Sequence, residues 1–457
     1  AAVLDSKPLN NRQEEGHMSD IDHARGLCEF VDGCPSMFHT TACIAERLAG
    51  AGFLELSEGD AWEGVPGGRY FTRRNNSSVI AFAVGKDLGD YHFQVAAAHG
   101  DSPCFKVKSA AELTGPGDYL RLDVEAYGGM IDHTWLDRPL GIAGRVLVRD
   151  GARVESRLFD SAADVALIPS VAIHLNREGG KSPELNRAVD LCALFSAGEL
   201  GEGAFDRYVA GKLGVDVADV LARDLFLYNR QEARVWGAAG EFLSATKLDD
   251  LGCAYAALEG FFAAGVNDAQ VNVFACFDNE EVGSNTKQGA MSTFLKDVLV
   301  RANAALGRGD EDLRRAVSRP FMLSCDNAHA CHPNHPEKHD EANRCWLNRG
   351  LTIKEAANQH YCSDAFSRAA IAAVLDAAGV PHQTFANRSD MAGGGTLGNL
   401  SNMQVSMHGV DVGLPQLAMH SACETAGARD VELGVDALAA YFRCDLHIDG
   451  ADSFELR

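Results

Sequence analysis

The chain has 457 residues, with 64 acidic against 41 basic side chains and a formal charge of −23. A field of that sign excludes nucleic acid and anionic membrane as expected partners, and no apolar run is long enough for a membrane-spanning helix. With 46% hydrophobic and 23% charged residues, the chain has the balance of a folded protein rather than a disordered one, and its length suits two or three domains or one large domain with an insertion.

Residues 1–7 lack the basic and then apolar zones of a signal peptide. Residues 20–50 read as helical, stopped by Gly50-Ala51-Gly52. Residues 79–84 and 93–98 read as buried strands around a polar turn. From about 101 to 240 the texture changes to short alternating strands, 119–124 and 144–149 among them, with glycine-rich turns. After Leu243 the earlier style returns: a helix over 252–264, a strand over Val271–Phe277 and a helix over 289–306. Strands alternating with helices predict an α/β fold, a mainly parallel sheet covered by helices on both faces. The economical division is a discontinuous domain, 1–100 and 241–457, with a β-rich domain inserted at 101–240. The 13 cysteines are scattered without CxxC pairs, as expected of reduced thiols in a cytoplasmic protein.

Five segments carry metal-binding residue types. His99-Gly100-Asp101 closes an apolar strand, and side chains at the carboxyl ends of strands in an open α/β sheet face the ligand crevice. Asp101 is spaced to orient His99 as a metal ligand; alone, the pair also fits a polar turn. Asp249, in Leu248-Asp249-Asp250-Leu251, either caps a helix or bridges two ions. Glu280 and Glu281 follow Val271–Phe277 and point in different directions, so one can hold a metal while the other takes a proton from water; both could equally be solvated loop carboxylates. Asp326 follows the apolar run 321–323. The histidines behind it, His329, His332, His335 and His339, are the densest in the chain, but Pro333 and Pro336 interrupt any helix that would align them. Asp326 is the better ligand. His420 reads either as a core histidine or as a late ligand, and no Gly-x-Ser-x-Gly elbow supports Ser421 as a nucleophile. Together these nitrogen and carboxylate donors, without cysteine, suit catalytic zinc, or cobalt or manganese in its place. A shared carboxylate suits a pair of ions about 3.5–4 Å apart, as in aminopeptidases and other hydrolases.

The chain resembles the aspartyl aminopeptidase family, relatives of yeast vacuolar aminopeptidase I. The likeness runs through nearly the whole chain in six ordered motifs: the segments around His99, Asp249, Glu281, Asp326 and His420, and His133-Thr134-Trp135-Leu136-Asp137-Arg138. It implies a zinc-exopeptidase type of α/β domain whose β-rich insertion serves dimerisation, and a homo-oligomer, a closed dodecamer built from dimers. It implies two divalent metal ions per subunit, one held by His99, Asp249 and Asp326 and the other by Asp249, Glu281 and His420. Asp249 would bridge them, Asp101 would orient His99, and the Asp249–Asp250 peptide would be cis. Glu280 would be the general base for the attacking water and would return the proton to the leaving amine. His174, in Val171-Ala172-Ile173-His174, would reach a neighbouring subunit's site and stabilise the oxyanion there; alone it also reads as a core histidine.

The implied substrates are peptides beginning with Asp or Glu. Lys354 and Tyr361 lie at spacing similar to family residues that receive the acidic side chain, where a buried or partly buried ammonium would pair with the substrate carboxylate; the alternative for Lys354 is an exposed surface lysine. Arg388 is a second cationic candidate, or else a partner that orients Asp390. Asp250 stands where Asn is common in the family, and Gly395 and Asn399 replace a hydroxyl residue and a proline. Two rival readings are a broad-specificity metallo-aminopeptidase or deacylase of the same fold, and a catalytically idle oligomeric scaffold. The complete ligand set with Glu280 argues against the second.

Overall fold

The computed structural model describes residues 12–177 and 184–457. Where one helical stretch was expected over 20–50, the chain forms two helices, Arg12–Asp32 and Met37–Gly50. Pro35 lies between them; it has no N–H to donate and disfavours helical backbone at Cys34, so the helix stops and restarts.

A nine-stranded sheet forms the centre of the molecule. Its order is Leu54–Glu55, Arg69–Arg74, Ser78–Val84, Val271–Phe277, Phe93–His99, Phe321–Cys325, His408–Gly413, Leu351–Glu355 and His382–Ala386. The strands from Val271–Phe277 to His408–Gly413 run parallel. Ser78–Val84 pairs antiparallel with both of its neighbours, as Leu351–Glu355 does with His408–Gly413. The sheet is therefore mixed, with a parallel centre.

Both faces of the sheet are buried, which is why its strands read as continuous apolar runs. In Phe93–His99 the side chains alternate, Ala96 and Ala98 entering one core and Phe93, Val95 and Ala97 the other. The helices Leu248–Ala264, Ala365–Ala378 and Ala428–Arg443 pack with the two N-terminal helices on the first face, and Phe294–Ala305 and Asp310–Ser318 on the second. Tyr441 fixes Ala428–Arg443 beneath the central strands by donating to the carbonyls of Val95 at 3.1 Å and Phe321 at 2.7 Å. Phe294–Ala305 starts later than the predicted 289, because Gly289 and Ser292 close three-residue turns onto Thr286 and Gly289 instead of helical bonds.

A second, six-stranded sheet lies within 104–229 in the order Arg153–Asp160, Leu140–Asp150, Val220–Asn229, Cys104–Thr114, Leu120–Tyr127 and Ala193–Ser196. Every pairing in it is antiparallel. It has its own core around Phe105, Leu122, Ile142 and Leu225, closed by Phe205 and Val209 of the helix Ala204–Leu213, which the sequence reading did not anticipate. This sheet meets the first at Arg145, whose Nη1 donates to the Asn75 carbonyl at 3.0 Å. It also meets the chemistry-bearing loops at Gly128 (φ +81°), where a Cβ would stand 3.1 Å from that of Glu281.

A third sheet, Arg234–Trp236, Phe242–Ala245, Glu424–Gly427, Pro415–Leu417 and Ala328–His329, braces the loops behind Asp326 and around His420. All the cysteines are free thiols. Among the described residues no helix is long and apolar enough to cross a membrane.

Candidate metal centre

Three of the parallel strands bring candidate metal-binding side chains to their carboxyl ends. His99 is the last residue of Phe93–His99, Glu280 and Glu281 follow Val271–Phe277, and Asp326 follows Phe321–Cys325. Asp249 opens the helix Leu248–Ala264, and the Asp249–Asp250 peptide is cis. His420 lies between Pro415–Leu417 and Glu424–Gly427. The supporting backbone is unusual: Lys247, Asn279, Ala418 and His420 are non-glycine residues with φ of 57°, 62°, 56° and 65°. Such residues cost roughly 1–3 kcal/mol each and persist only where surrounding contacts hold them.

The two oxygens of Asp249 face two histidines. Oδ1 lies 3.4 Å from His99 Nε2 and Oδ2 lies 3.4 Å from His420 Nε2. His420 Nε2 is also 3.3 Å from Glu281 Oε2, and His99 Nε2 is 3.9 Å from Glu280 Oε2. Donor atoms of His99, Asp249, Asp250 and Asp326 lie within 4.8 Å of one another, as do those of Asp249, Glu281 and His420, and those of His99, Glu280 and Glu281. Asp249 Oδ1, Asp250 Oδ1 and Glu281 Oε1 are buried without a hydrogen-bond partner. A carboxylate oxygen left unpaired in the interior is costly unless a cation meets it, so the donor set and the orphaned atoms fit a divalent metal. Among the described residues, His332, His335 and His339 form no such group; His339 Nε2 instead accepts the backbone N–H of His332 at 3.1 Å.

The electrostatics follow from this crowding. Burial works against the Asp249 carboxylate, but hydrogen bonds from His420 and His99 outweigh it and hold its pKa below the usual range. Burial likewise opposes charge on His99, yet Asp250, Asp101, Asp249 and Glu280 raise it. Burial among other carboxylates pushes Glu280 up to about 8 and Asp326 up to about 6. Asp250, fully buried, is pushed well above the carboxylate range; a neutral acid offers one acceptor and one donor, as the amide of Asn does. Its Oδ2 accepts the His99 backbone N–H at 3.2 Å.

A layer of hydrogen bonds holds these groups in place. Asp101 accepts the backbone N–H of Glu280 at 3.1 Å and of Glu281 at 3.2 Å, and its backbone carbonyl lies 3.1 Å from His99 Nδ1. Tyr127, from the second sheet, donates to Asp101 Oδ2 at 2.8 Å. Ser102 Oγ donates to the Asp249 carbonyl at 2.6 Å. Sequence reasoning missed Ser102, Tyr127 and Glu424. Glu424 is the one with a legible signal, an acidic residue in the otherwise apolar or small run Ala422-Cys423-Glu424-Thr425-Ala426-Gly427.

The remaining candidates are distributed unevenly. Lys354 is 2% exposed, in keeping with a buried ammonium and not with a surface lysine; its Nζ donates to the carbonyls of Asp326 at 2.7 Å and Asn327 at 3.3 Å and stands 5.0 Å from the Tyr361 ring. Lys354, Tyr361, Gly395 and Thr396 line the same cleft as the ligands. Asn399 sits in the short helix Leu397–Ser401 with a buried Oδ1 that has no partner. Arg388 lies outside this cleft, and its guanidinium grips Asp390. His174 is exposed in the segment after the second sheet's first strands and is not part of the cleft in its own subunit.

Residues 30–442 match a family model described as aminopeptidase I zinc metalloprotease (M18). The chain is 40% identical over 434 residues to the probable M18 family aminopeptidase 2 of Clostridium novyi, covering 92% of this chain and 99% of that protein. A chain in the cryo-EM structure of the Ape4 and Nbr1 complex superposes with a TM-score of 0.90 at 31% identity, covering 96% of this chain and 88% of that one. The S. cerevisiae mApe1 dodecamer gives a TM-score of 0.83 at 28% identity, over 93% and 97%.

Proposed function

This chain belongs to the aminopeptidase I zinc metalloprotease (M18) family, and from that premise we propose that it removes N-terminal Asp or Glu from peptides with two divalent metal ions per subunit. The observation that carries the reading is Asp249, one carboxylate with an oxygen turned toward each of two histidines. His99, Asp249 and Asp326 would hold one ion, and Asp249, Glu281 and His420 the other, zinc in both or cobalt or manganese in its place. Such ions, when bound, polarise the scissile carbonyl and acidify a water.

The chain's own residues do the rest. Glu280, beside the ligands and partly open to solvent, takes the proton of the attacking water and returns it to the leaving amine. Asp101 fixes the direction of Glu280 and Glu281 through their backbone N–H groups. Lys354 has three donors and uses two on carbonyls, which leaves one for the carboxylate of an acidic N-terminal residue beside Tyr361.

The domain division at residues 100 and 240 assigns catalysis to the nine-stranded sheet and its helices, and oligomerisation to the inserted sheet. Around His174 the exposed apolar residues Val171, Ile173 and Leu175 favour contact with a second copy, which would carry His174 to a neighbouring site to stabilise the oxyanion. The assembly is then a dodecamer, as in the mApe1 structure, built from dimers and working in the cytoplasm, where its free thiols persist.

Glu280→Gln tests the assignment. Metal content should match the wild type while turnover falls by about a thousandfold; loss of metal, or undiminished turnover, contradicts the role.

A further inference from the structure

Beside the metal cleft lies a second cavity, of about 470 Å³, which shares His329, Gly394 and Met419 with it. The two differ in charge. The cleft is lined by Asp249, Glu280, Glu281 and Asp326, whereas the wall of the second cavity contains no acidic residue and two cations, Lys338 and Arg388. Arg388 is committed to Asp390 and to the Glu337 carbonyl. Lys338 is exposed and has no carboxylate within 4 Å among the described residues, although its charge favours the ionised form of the nearby Glu337 and Asp390.

One histidine of the wall is a neutral donor. Burial keeps His339 on its neutral side, and because its Nε2 accepts the His332 backbone N–H, its proton sits on Nδ1 as a donor. His332 shares the same wall, and Phe385 gives it an apolar patch. The wall itself carries no carboxylate, although Glu337 and Asp390 stand near Lys338, so in a chain of charge −23 it is less acidic than the cleft beside it.

We propose that this cavity receives the second residue of the peptide, the one behind the hydrolysed bond, and that Lys338 with its histidine neighbours selects an acidic side chain there. The inference rests on the peptidase reading above. With the first side chain directed at Lys354, the rest of the peptide leaves the cleft past His329 and Met419, the residues common to both cavities.

The test uses the metal-loaded protein and the peptides Asp-Ala-Ala, Asp-Glu-Ala, Asp-Lys-Ala and Leu-Ala-Ala. Asp-Glu-Ala should exceed Asp-Ala-Ala in kcat/KM by about fivefold, the scale of one solvent-facing charge pair. Lys338→Glu should invert the order, placing Asp-Lys-Ala above Asp-Glu-Ala, with the Asp-Ala-Ala to Leu-Ala-Ala ratio unmoved. In the Glu280→Gln background, calorimetric binding of the same peptides should rank them as the wild-type kinetics do. Hydrolysis without a second-position preference, or a preference that Lys338→Glu leaves intact, overturns this proposal alone. So does a Lys338→Glu effect confined to the first position, which would make the cavity the pocket for the first residue. Failure to hydrolyse any of the peptides overturns the peptidase reading and this proposal with it.

Discussion

Glu424 joins the two halves of the metal centre: one carboxylate oxygen accepts the backbone N–H of Asp249 at 3.0 Å and the other that of His420 at 2.6 Å. It is 1% exposed, and Gln416 Nε2 lies 3.3 Å from it. Two loops distant in sequence therefore share one buried acceptor, which holds His420 in its left-handed backbone conformation.

Glu424→Gln should consequently weaken metal binding although Glu424 is not itself a ligand. The amide keeps one acceptor and turns an N–H₂ toward a backbone donor, so one of the two loops loses its anchor. Groups that orient metal ligands typically cost 10–100-fold in affinity when changed. Titration with zinc under competition from a chelator measures this, and unchanged affinity would mean that the loops hold their shape without it.

Lys354→Met separates two roles of a buried ammonium. Burial disfavours its charge, but the facing Asp326 carboxylate more than compensates and raises its pKa. With the donor to the substrate gone, the kcat/KM preference for Asp-Ala-Ala over Leu-Ala-Ala should fall by about tenfold. Losing the bonds to the carbonyls of Asp326 and Asn327 should also lower metal affinity. A drop in metal affinity with an unchanged preference would make Lys354 a positioning residue only.

Asp224 provides a pH-dependent tie in the inserted sheet. It pairs with Lys106 at 2.9 Å and Arg145 at 3.0 Å, and Arg145 reaches on to Asn75. Burial raises its pKa, but these two cations outweigh burial, so the folded-state pKa lies below the ordinary 3.8. Its stabilising contribution is thus present above 3.8 and lost as pH falls through the lower folded value. Asp224→Asn should cost about 1 kcal/mol at pH 7, discounted for partial exposure. In urea unfolding the gap between variant and wild type should narrow as the pH falls below 3.8; a gap constant with pH would assign the loss to packing.

Much of this candidate centre was legible because the proposed ligands stand at the ends of apolar runs. His99 closes Phe93–His99, and Glu281 and Asp326 come after Val271–Phe277 and Phe321–Cys325, since these buried strands hold only uncharged polar residues such as Gln94, Asn272 and Ser324 in the core and bring their first carboxylate or imidazole at or past the end. Asp249 was ambiguous: a carboxylate at a helix start also caps, and its position between two histidines, which favours the proposed bridging role, exists only in the fold. Tyr127 left no trace, because an aromatic residue on an alternating strand looks like any other until the inserted sheet docks against Asp101. The break at Pro35 was written in the sequence and was passed over in favour of the helical periodicity on either side of it. Burial of Lys354 follows from the family resemblance and not from the residues themselves, since a lysine within Leu351–Glu355 is buried only through the carbonyls that a separate loop presents to it.

The central claim is tested most directly by removing metal with a chelator, restoring zinc, cobalt or manganese, and assaying peptides that begin with Asp, Glu, Leu and Lys. Activity should vanish on chelation and return with added metal, with the Asp and Glu peptides cleaved fastest. Full activity in the chelated protein would contradict the metal-dependent mechanism, and equal rates on all four peptides would contradict the acidic specificity.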